Sequence, residues 1–329
     1  MSGRGIGLVV GVGVLAAANW SAAIAAENIW ETVETIGEPH PRHEAAFIEF
    51  EDKFYLLGGR RVQPVSIYDP KTNAWSEGTP PPVEIHHFQP VPLGDRIHLL
   101  GAMTGPYPNE VGLDRVLTYL PKEDRWEFTH DIPEDRRRGG AGAVARNGKI
   151  YMSCGIINGH IGGFVNWFDE YDPKTGAWKK LPNAPHKRDH FQSAILDGKM
   201  YCAGGRTTSK DTNQVFDLTV PEVDVYDFNT GKWTVLKDPL PTPRAGNSTM
   251  RLNEEILVVG GESIRQKTAH SEVEAWDAAS ERWKIYPSLV QGRHGSGLFL
   301  WEKYLYTCSG SGNRGGRPEL TSMERLKVR

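Results

Sequence analysis

Three short signals recur in fixed order along the whole chain, and a chain built this way must fold as an array of like units. The first is an apolar run ending in two small residues: YLLGG to Gly59, HLLGA to Ala102, YMSCG to Gly155, YCAGG to Gly205, LVVGG to Gly261 and YTCSG to Gly310. The first small residue of each pair falls at 58, 101, 154, 204, 260 and 309, giving spacings of 43, 53, 50, 56 and 49 residues. The second signal is an aromatic followed seven residues later by Trp: Tyr68 and Trp75, Tyr119 and Trp126, Tyr171 and Trp178, Tyr226 and Trp233, Trp276 and Trp283. Turn sequences such as DPKTNA and DPKTGA separate them, with Asp, Pro and Gly where a tight turn needs them. The third is a polar turn just before the doublet run, as in Asn147-Gly148 and Asp197-Gly198, a strong hairpin signature. One period therefore reads as four antiparallel strands, A to D, with the doublet closing B, the aromatic in C and the Trp in D.

The double glycine, Tyr and Trp in this order and at this period resemble the kelch repeat, over about residues 28 to 328. The resemblance implies an all-β fold, a six-bladed kelch β-propeller. After Ser309-Gly310 only one further strand, SMERLKV, remains, and no Trp follows it. Trp30 lies 45 residues before Trp75, so the N-terminal strand is expected to close the last blade as its strand D. Closure of this kind removes exposed sheet edges. The repeated Tyr and Trp residues are expected to pack blade against blade.

Hydrophobic residues make up 39% of the 329 residues and charged residues 24%, enough apolar material for a packed core. The formal net charge of −3, without basic blocks, argues against a sequence-independent nucleic-acid binder. Residues 1–25 read as a signal peptide: Arg4, a 13-residue apolar run from Ile6 to Ala18, and Ala23-Ile24-Ala25 as the cleavage site. That run is too short to span a bilayer, and no second one approaches spanning length. The expectation is a periplasmic or secreted, monomeric propeller over residues 26–329. Cys154, Cys202 and Cys308 are an odd number, lie in apolar strand runs, and are expected to be buried free thiols.

The A-to-B hairpins and C-to-D turns are short and alike, whereas the B-to-C connections vary, the longest being 206–222, 102–115 and 156–167. In an antiparallel blade these share a face with the D-to-A crossovers, and long loops on a rigid scaffold usually carry function. At that face, counting back sixteen residues from positions 58, 154, 204, 260 and 309 lands each time on arginine: Arg42, Arg138, Arg188, Arg244 and Arg293. The same step in the second repeat gives Ile85, with His86 one residue closer, as a shorter connection would place it. Strand A is innermost in kelch propellers, so the resemblance implies that these residues ring one mouth of the central channel. Two roles follow: clamping loop carbonyls, or forming a positive well for a carboxylate, sulfate or phosphate.

Beside them stand His43, Glu44, His87, Asp189, His190 and His294, while Glu262, Arg60 and Arg206 directly follow a doublet. His43, His87, His190, His294 and Glu262 are the proton-transfer candidates, with neighbouring guanidinium groups expected to favour neutral histidines. No HExxH or CxxC pattern is present, and neither a metal site nor a cofactor is read from the sequence. The expected function is binding of an anionic small molecule, an acidic glycan or an acidic peptide at the Arg-lined mouth. The alternatives are an enzyme on acidic sugars, by mutarotation or β-elimination, and a protein-interaction scaffold using the outer loops. The kelch resemblance embraces all three: sialic acid mutarotases of the periplasm share the six-bladed architecture, and kelch adaptors of ubiquitin ligases bind acidic peptides. Galactose oxidase, with its copper site, is a more distant relative.

Overall fold

A computed structural model describes Met1 and residues 29–328; the expected cleavage point after Ala25 lies outside the described residues. Six four-stranded antiparallel sheets succeed one another along the chain. Blade one consists of strands A to D at Ala45–Phe50, Lys53–Gly58, Val65–Asp69 and Ala74–Gly78. Blade four repeats the plan with Gln192–Leu196, Lys199–Ala203, Asp224–Asp227 and Lys232–Val235, and blade five with Ser248–Leu252, Glu255–Val259, Val273–Asp277 and Arg282–Tyr286. In blade six, Gly297–Trp301, Tyr304–Cys308 and Met323–Lys327 are completed by Trp30–Thr32. Trp30 pairs with Leu326 and Thr32 with Glu324, so the N-terminal strand closes the ring as its Trp suggests. The A strands touch one another around the axis and are therefore the innermost.

Five of the six outer Trp residues do more than pack. The indole N–H of Trp126 donates to the Thr79 carbonyl of blade one at 2.8 Å, Trp178 to Asp131 at 3.1 Å, Trp233 to Pro182 at 2.8 Å and Trp283 to Asp238 at 3.1 Å. Trp30 completes the series with Pro287 at 3.0 Å. Each acceptor is where the preceding blade leaves strand D, so each of these five indoles pins one blade to the next. Trp75 departs from the pattern: its ring packs on Phe47 and its indole nitrogen has no partner, while its backbone N–H bonds Ile36.

Two sequence readings need correction. In blade three, strands B and C run on to Lys149–Asn158 and Gly162–Tyr171, so most of the expected 156–167 loop is a long hairpin. A register shift between Ser153 and Gly155 carries the ladder past the doublet, and Ile156 pairs with Phe164. In blade two, the Gly59 N–H donates to the Ile85 carbonyl, as Gly155 does to Arg188, Gly205 to Arg244 and Gly261 to Arg293. Ile85 thus takes the arginine place and His86 the following one; no connection is shortened.

The innermost feature is a closed belt of backbone hydrogen bonds. His87 N–H donates to the Glu44 carbonyl (3.1 Å), Gly140 to His87 (2.8 Å), His190 to Gly140 (2.9 Å), Gly246 to His190 (2.6 Å), Gly295 to Gly246 (2.9 Å), and Ala45 to Gly295 (3.1 Å). All six acceptor residues have left-handed backbone, with φ from 54° to 65°. At Gly295 glycine is needed twice over: φ is 64°, and a Cβ would stand 2.6 Å from the Glu44 nitrogen.

Trp30→Ala removes the closing indole hydrogen bond and a buried aromatic at once. The change should lower the unfolding free energy by about 3–5 kcal/mol, the range for a core Trp. Denaturant titration checks this, and an unchanged midpoint would show that the ring closes without it.

Candidate functional site

The five repeat arginines are placed by the carbonyls they meet. At the offset of sixteen, each guanidinium donates to the first doublet residue of its own blade: Arg42 to Gly58, Arg138 to Cys154, Arg188 to Gly204, Arg244 to Gly260 and Arg293 to Ser309, at 2.5–3.1 Å. Four also pair with a carboxylate on strand C of the same blade: Arg138 with Asp169, Arg188 with Asp224, Arg244 with Glu274 and Arg293 with Glu324. Arg42 bonds the Ser66 hydroxyl instead, 3.2 Å away. None is more than 3% exposed. Burial drags the Arg42 pKa down to about 10 and lowers those of Arg138 and Arg244. These arginines are clamps inside their blades and do not line the mouth, because strand-end carbonyls and carboxylates there claim their donors. His86 does not line it either: it is fully buried, and desolvation together with the nearby Arg60 charge pushes its pKa down to about 3.

What lines the mouth is a basin of about 300 Å³ whose walls include His43, Glu44, Arg60, His87, Arg206 and Glu262. Three places in each repeat supply these groups: the belt residue, the residue before it, and the residue after the doublet. The B-to-C loops supply the rest, namely Tyr107, His160, Val215, Phe216 and Gly315-Gly316. The sequence marks these loops as long and variable without singling out His160, Tyr107 or Phe216. Below the basin, Glu44, His87 and His190 enclose about 30 Å³, room for water only. Beyond that constriction the channel opens again to about 450 Å³ between the A strands, among residues such as Phe47, Val144, Ile195 and Leu298.

The basin is a charge-paired network. Arg60 bonds Glu110 at 2.6 Å, Arg206 bonds Glu262 and Thr208, and His43 and Arg61 both hold Glu319, at 2.7 and 2.6 Å. Burial opposes the Arg206 charge, but Glu262 and Asp189 outweigh it and raise its pKa. Against burial, the Arg206 and His294 charges keep Glu262 below the usual carboxylate range, and His294 does the same for Glu44. His190 and His294 stand behind the lining, fully enclosed. His87 is neutral, chiefly through desolvation and then through repulsion by neighbouring histidines and Arg60.

His294 behaves oppositely to the sequence expectation. Its Nε2 faces the carbonyls of Asn313 (3.0 Å) and Gly315 (2.8 Å), its Nδ1 lies 3.4 Å from Glu44, and Glu262 lies 3.4 Å from Nε2. Surrounded by acceptors only, the ring is an imidazolium: burial disfavours the charge, yet Glu262 and Glu44 raise its pKa to about 9. The cysteines are as expected, buried and unbridged, with burial raising each thiol pKa.

Arg244→Met leaves Glu274 ionisable and buried without its partner, so stability should drop by about 3–5 kcal/mol in chemical denaturation while basin chemistry is untouched. The His294 value, raised from 6.5 to about 9, contributes stability that is complete below pH 6.5 and lost as pH rises through about 9. Glu44 and Glu262 stay ionised over that window and add no slope. The wild-type thermal midpoint should therefore fall across it while that of His294→Gln stays flat; parallel profiles would contradict the imidazolium.

Comparison with known proteins agrees with this architecture. The chain is 28% identical over 294 residues to Kelch-like protein terF of Aspergillus terreus (strain NIH 2624 / FGSC A1156), covering 83% of this chain and 62% of that protein. It is 27% identical to Kelch-like protein 40 of Xenopus laevis over 55% of this chain and 29% of that one. The chain thus spans less than two thirds of the length of these relatives. The solved structure of YjhT superposes with a TM-score of 0.74 at 17% identity, over 88% of this chain and 96% of that one, a likeness of fold. Residues 19–263 match the Attractin/LZTR1 beta-propeller family, and with its six kelch-type blades the chain belongs to that family.

Proposed function

We propose that the axial basin binds a small polar ligand carrying a carboxylate, an acidic sugar being the class that fits best. The observation that carries this reading is the basin itself. Its volume of about 300 Å³ is at the lower end for small-molecule sites and suits one sugar ring better than a peptide segment. Arg60 supports the anionic part: its side chain is 18% exposed at the basin wall and uses one terminal nitrogen on Glu110, leaving donors for a ligand carboxylate. Ionised Glu44 and Glu262 would accept from sugar hydroxyls, and Tyr107 and Phe216 offer apolar faces.

A second reading, proton transfer on such a sugar, is favoured by ionised carboxylates and the neutral His87 facing one cavity. In that reading Glu44 or Glu262 is the base, and His294, enclosed behind them, is a positioning residue. Removal of residues 1–25 on export would place this chemistry outside the cytoplasm, which the mass of the mature N-terminus checks.

Calorimetric titration with uronates and sialic acids, together with a scan for mutarotation or elimination products, tests the reading. Arg60→Ala should weaken binding of the best acidic sugar about tenfold or more, the loss of one charge-assisted contact, and leave neutral sugars unaffected. Equal affinity for the variant, or no binding by the wild type, would overturn it.

A further inference from the structure

Three histidines from three blades meet at the basin floor. His87 and His190 are belt residues of blades two and four, and His160 sits at the tip of the long blade-three hairpin. Their ring centroids lie 4.4 Å (His87 to His190), 4.8 Å (His160 to His190) and 5.1 Å (His87 to His160) apart. None is more than 5% exposed, and one nitrogen of each lies within 4.8 Å of the others.

The outer partners decide which nitrogens face inward. The His190 Nδ1 is bonded to Asp189, and the Asp189 carboxylate is itself fixed by Thr208 through its backbone N–H at 3.0 Å and its hydroxyl at 2.6 Å. The His160 Nδ1 lies 3.0 Å from Glu110, off the line of a full hydrogen bond, and Glu110 is anchored by Arg60 and the His160 backbone N–H. The His87 Nδ1 lies 2.6 Å from the His86 Nδ1. Asp189 thus turns the His190 Nε2 inward, where it meets the His160 Nε2 at 3.1 Å, the tautomers setting which ring donates. The His87 Nε2 lies 3.3 Å from a Glu44 carboxylate oxygen. A tetrahedral ion with metal–nitrogen distances of about 2.1 Å holds its ligand nitrogens roughly 3.4 Å apart, close to the 3.1 Å between His160 and His190, and the His87 nitrogen lies within 4.8 Å of both.

We propose that His87, His160 and His190 form a binding site for a divalent first-row transition-metal ion, oriented by Asp189, Glu110 and His86. The carboxylate–histidine arrangement is the usual outer support of such ligands. His87 and His160 also line the basin, so the remaining coordination position opens toward the ligand proposed above; only that last point rests on the sugar-binding reading.

The test uses full-length protein stripped with chelator, then titrated with Co²⁺ and Zn²⁺. Wild type should bind one equivalent of each, give the visible bands of nitrogen-ligated low-coordinate cobalt, and gain thermal stability with metal. His160→Gln, at a hairpin tip, should keep the metal-free melting temperature and lose more than about 100-fold in affinity. Glu110→Gln, an outer partner, should lose about 10–100-fold. Wild type that binds neither ion, or binds no more tightly than both variants, overturns the proposal. Phe216→Ala separates the two readings: this basin-wall ring has no link to the three histidines, so the variant should lose sugar affinity and keep one equivalent of metal.

Discussion

The belt of six backbone hydrogen bonds around the axis is the constraint on which the rest of the molecule depends. Every blade contributes one left-handed residue to it, and the strands fan out from there. Left-handed backbone costs a residue with a side chain about 1–3 kcal/mol, so glycine is the expected occupant. Glycine fills three places, 140, 246 and 295, whereas Glu44, His87 and His190 fill the others. The glycines leave room next to their neighbours: a Cβ on Gly140 would come 3.1 Å from the His190 nitrogen, and one on Gly246 3.3 Å from the His294 Cβ. Strain is thus accepted at the three positions whose side chains converge on the axis, as at sites where function holds a conformation that the chain alone would not choose.

The repeat arginines show how a regular sequence signal can be read correctly in position and incorrectly in purpose. Their offset of sixteen is the path along strands A and B that brings a guanidinium to the carbonyl of the doublet. The second glycine of the doublet lies against the same side chain: a Cβ on Gly261, where φ is 116°, would stand 3.0 Å from Arg244 Cγ. Arginine and double glycine are therefore two halves of one packing unit. The partner carboxylates on strand C, Asp169, Asp224, Glu274 and Glu324, come 30 to 36 residues later and carry no local pattern that ties them to the arginines. Without them the ring reads as unbalanced positive charge. With them four of the five charges are balanced inside their own blades.

Blades, ring closure and the face that carries the basin were legible because each rests on local periodicity: doublets, Trp spacing and loop length. The site was legible in part. His43, His87, Glu262, Arg60 and Arg206 do line the basin, since strand entry and doublet exit fix their place in every blade. His160, Glu110, Tyr107 and Phe216 were not, because they ride on loops without repeat equivalents, and sequence spacing says nothing of how a loop folds back over the axis. The blade-three hairpin shows why. A bulge at the doublet extends its ladder, and that extension is what delivers His160 to the floor.

These two sources of residues divide the labour within the basin. Floor groups such as Glu44, His87 and His190 are held by the belt, so their positions vary only with the propeller itself. Wall groups beyond the doublets are tied to one another by ion pairs that cross between blades, Arg60 to Glu110 and Arg206 to Glu262. Because these pairs balance charge locally, the proposed ligand would be drawn less by long-range potential than by matching donors and acceptors at close range. A ligand carboxylate at Arg60 must compete with Glu110, and Glu110 also steadies His160. Arg60, Glu110 and His160 thus form one chain from the wall to the floor, through which a ligand that draws Arg60 away from Glu110 would also alter the support of the histidine cluster.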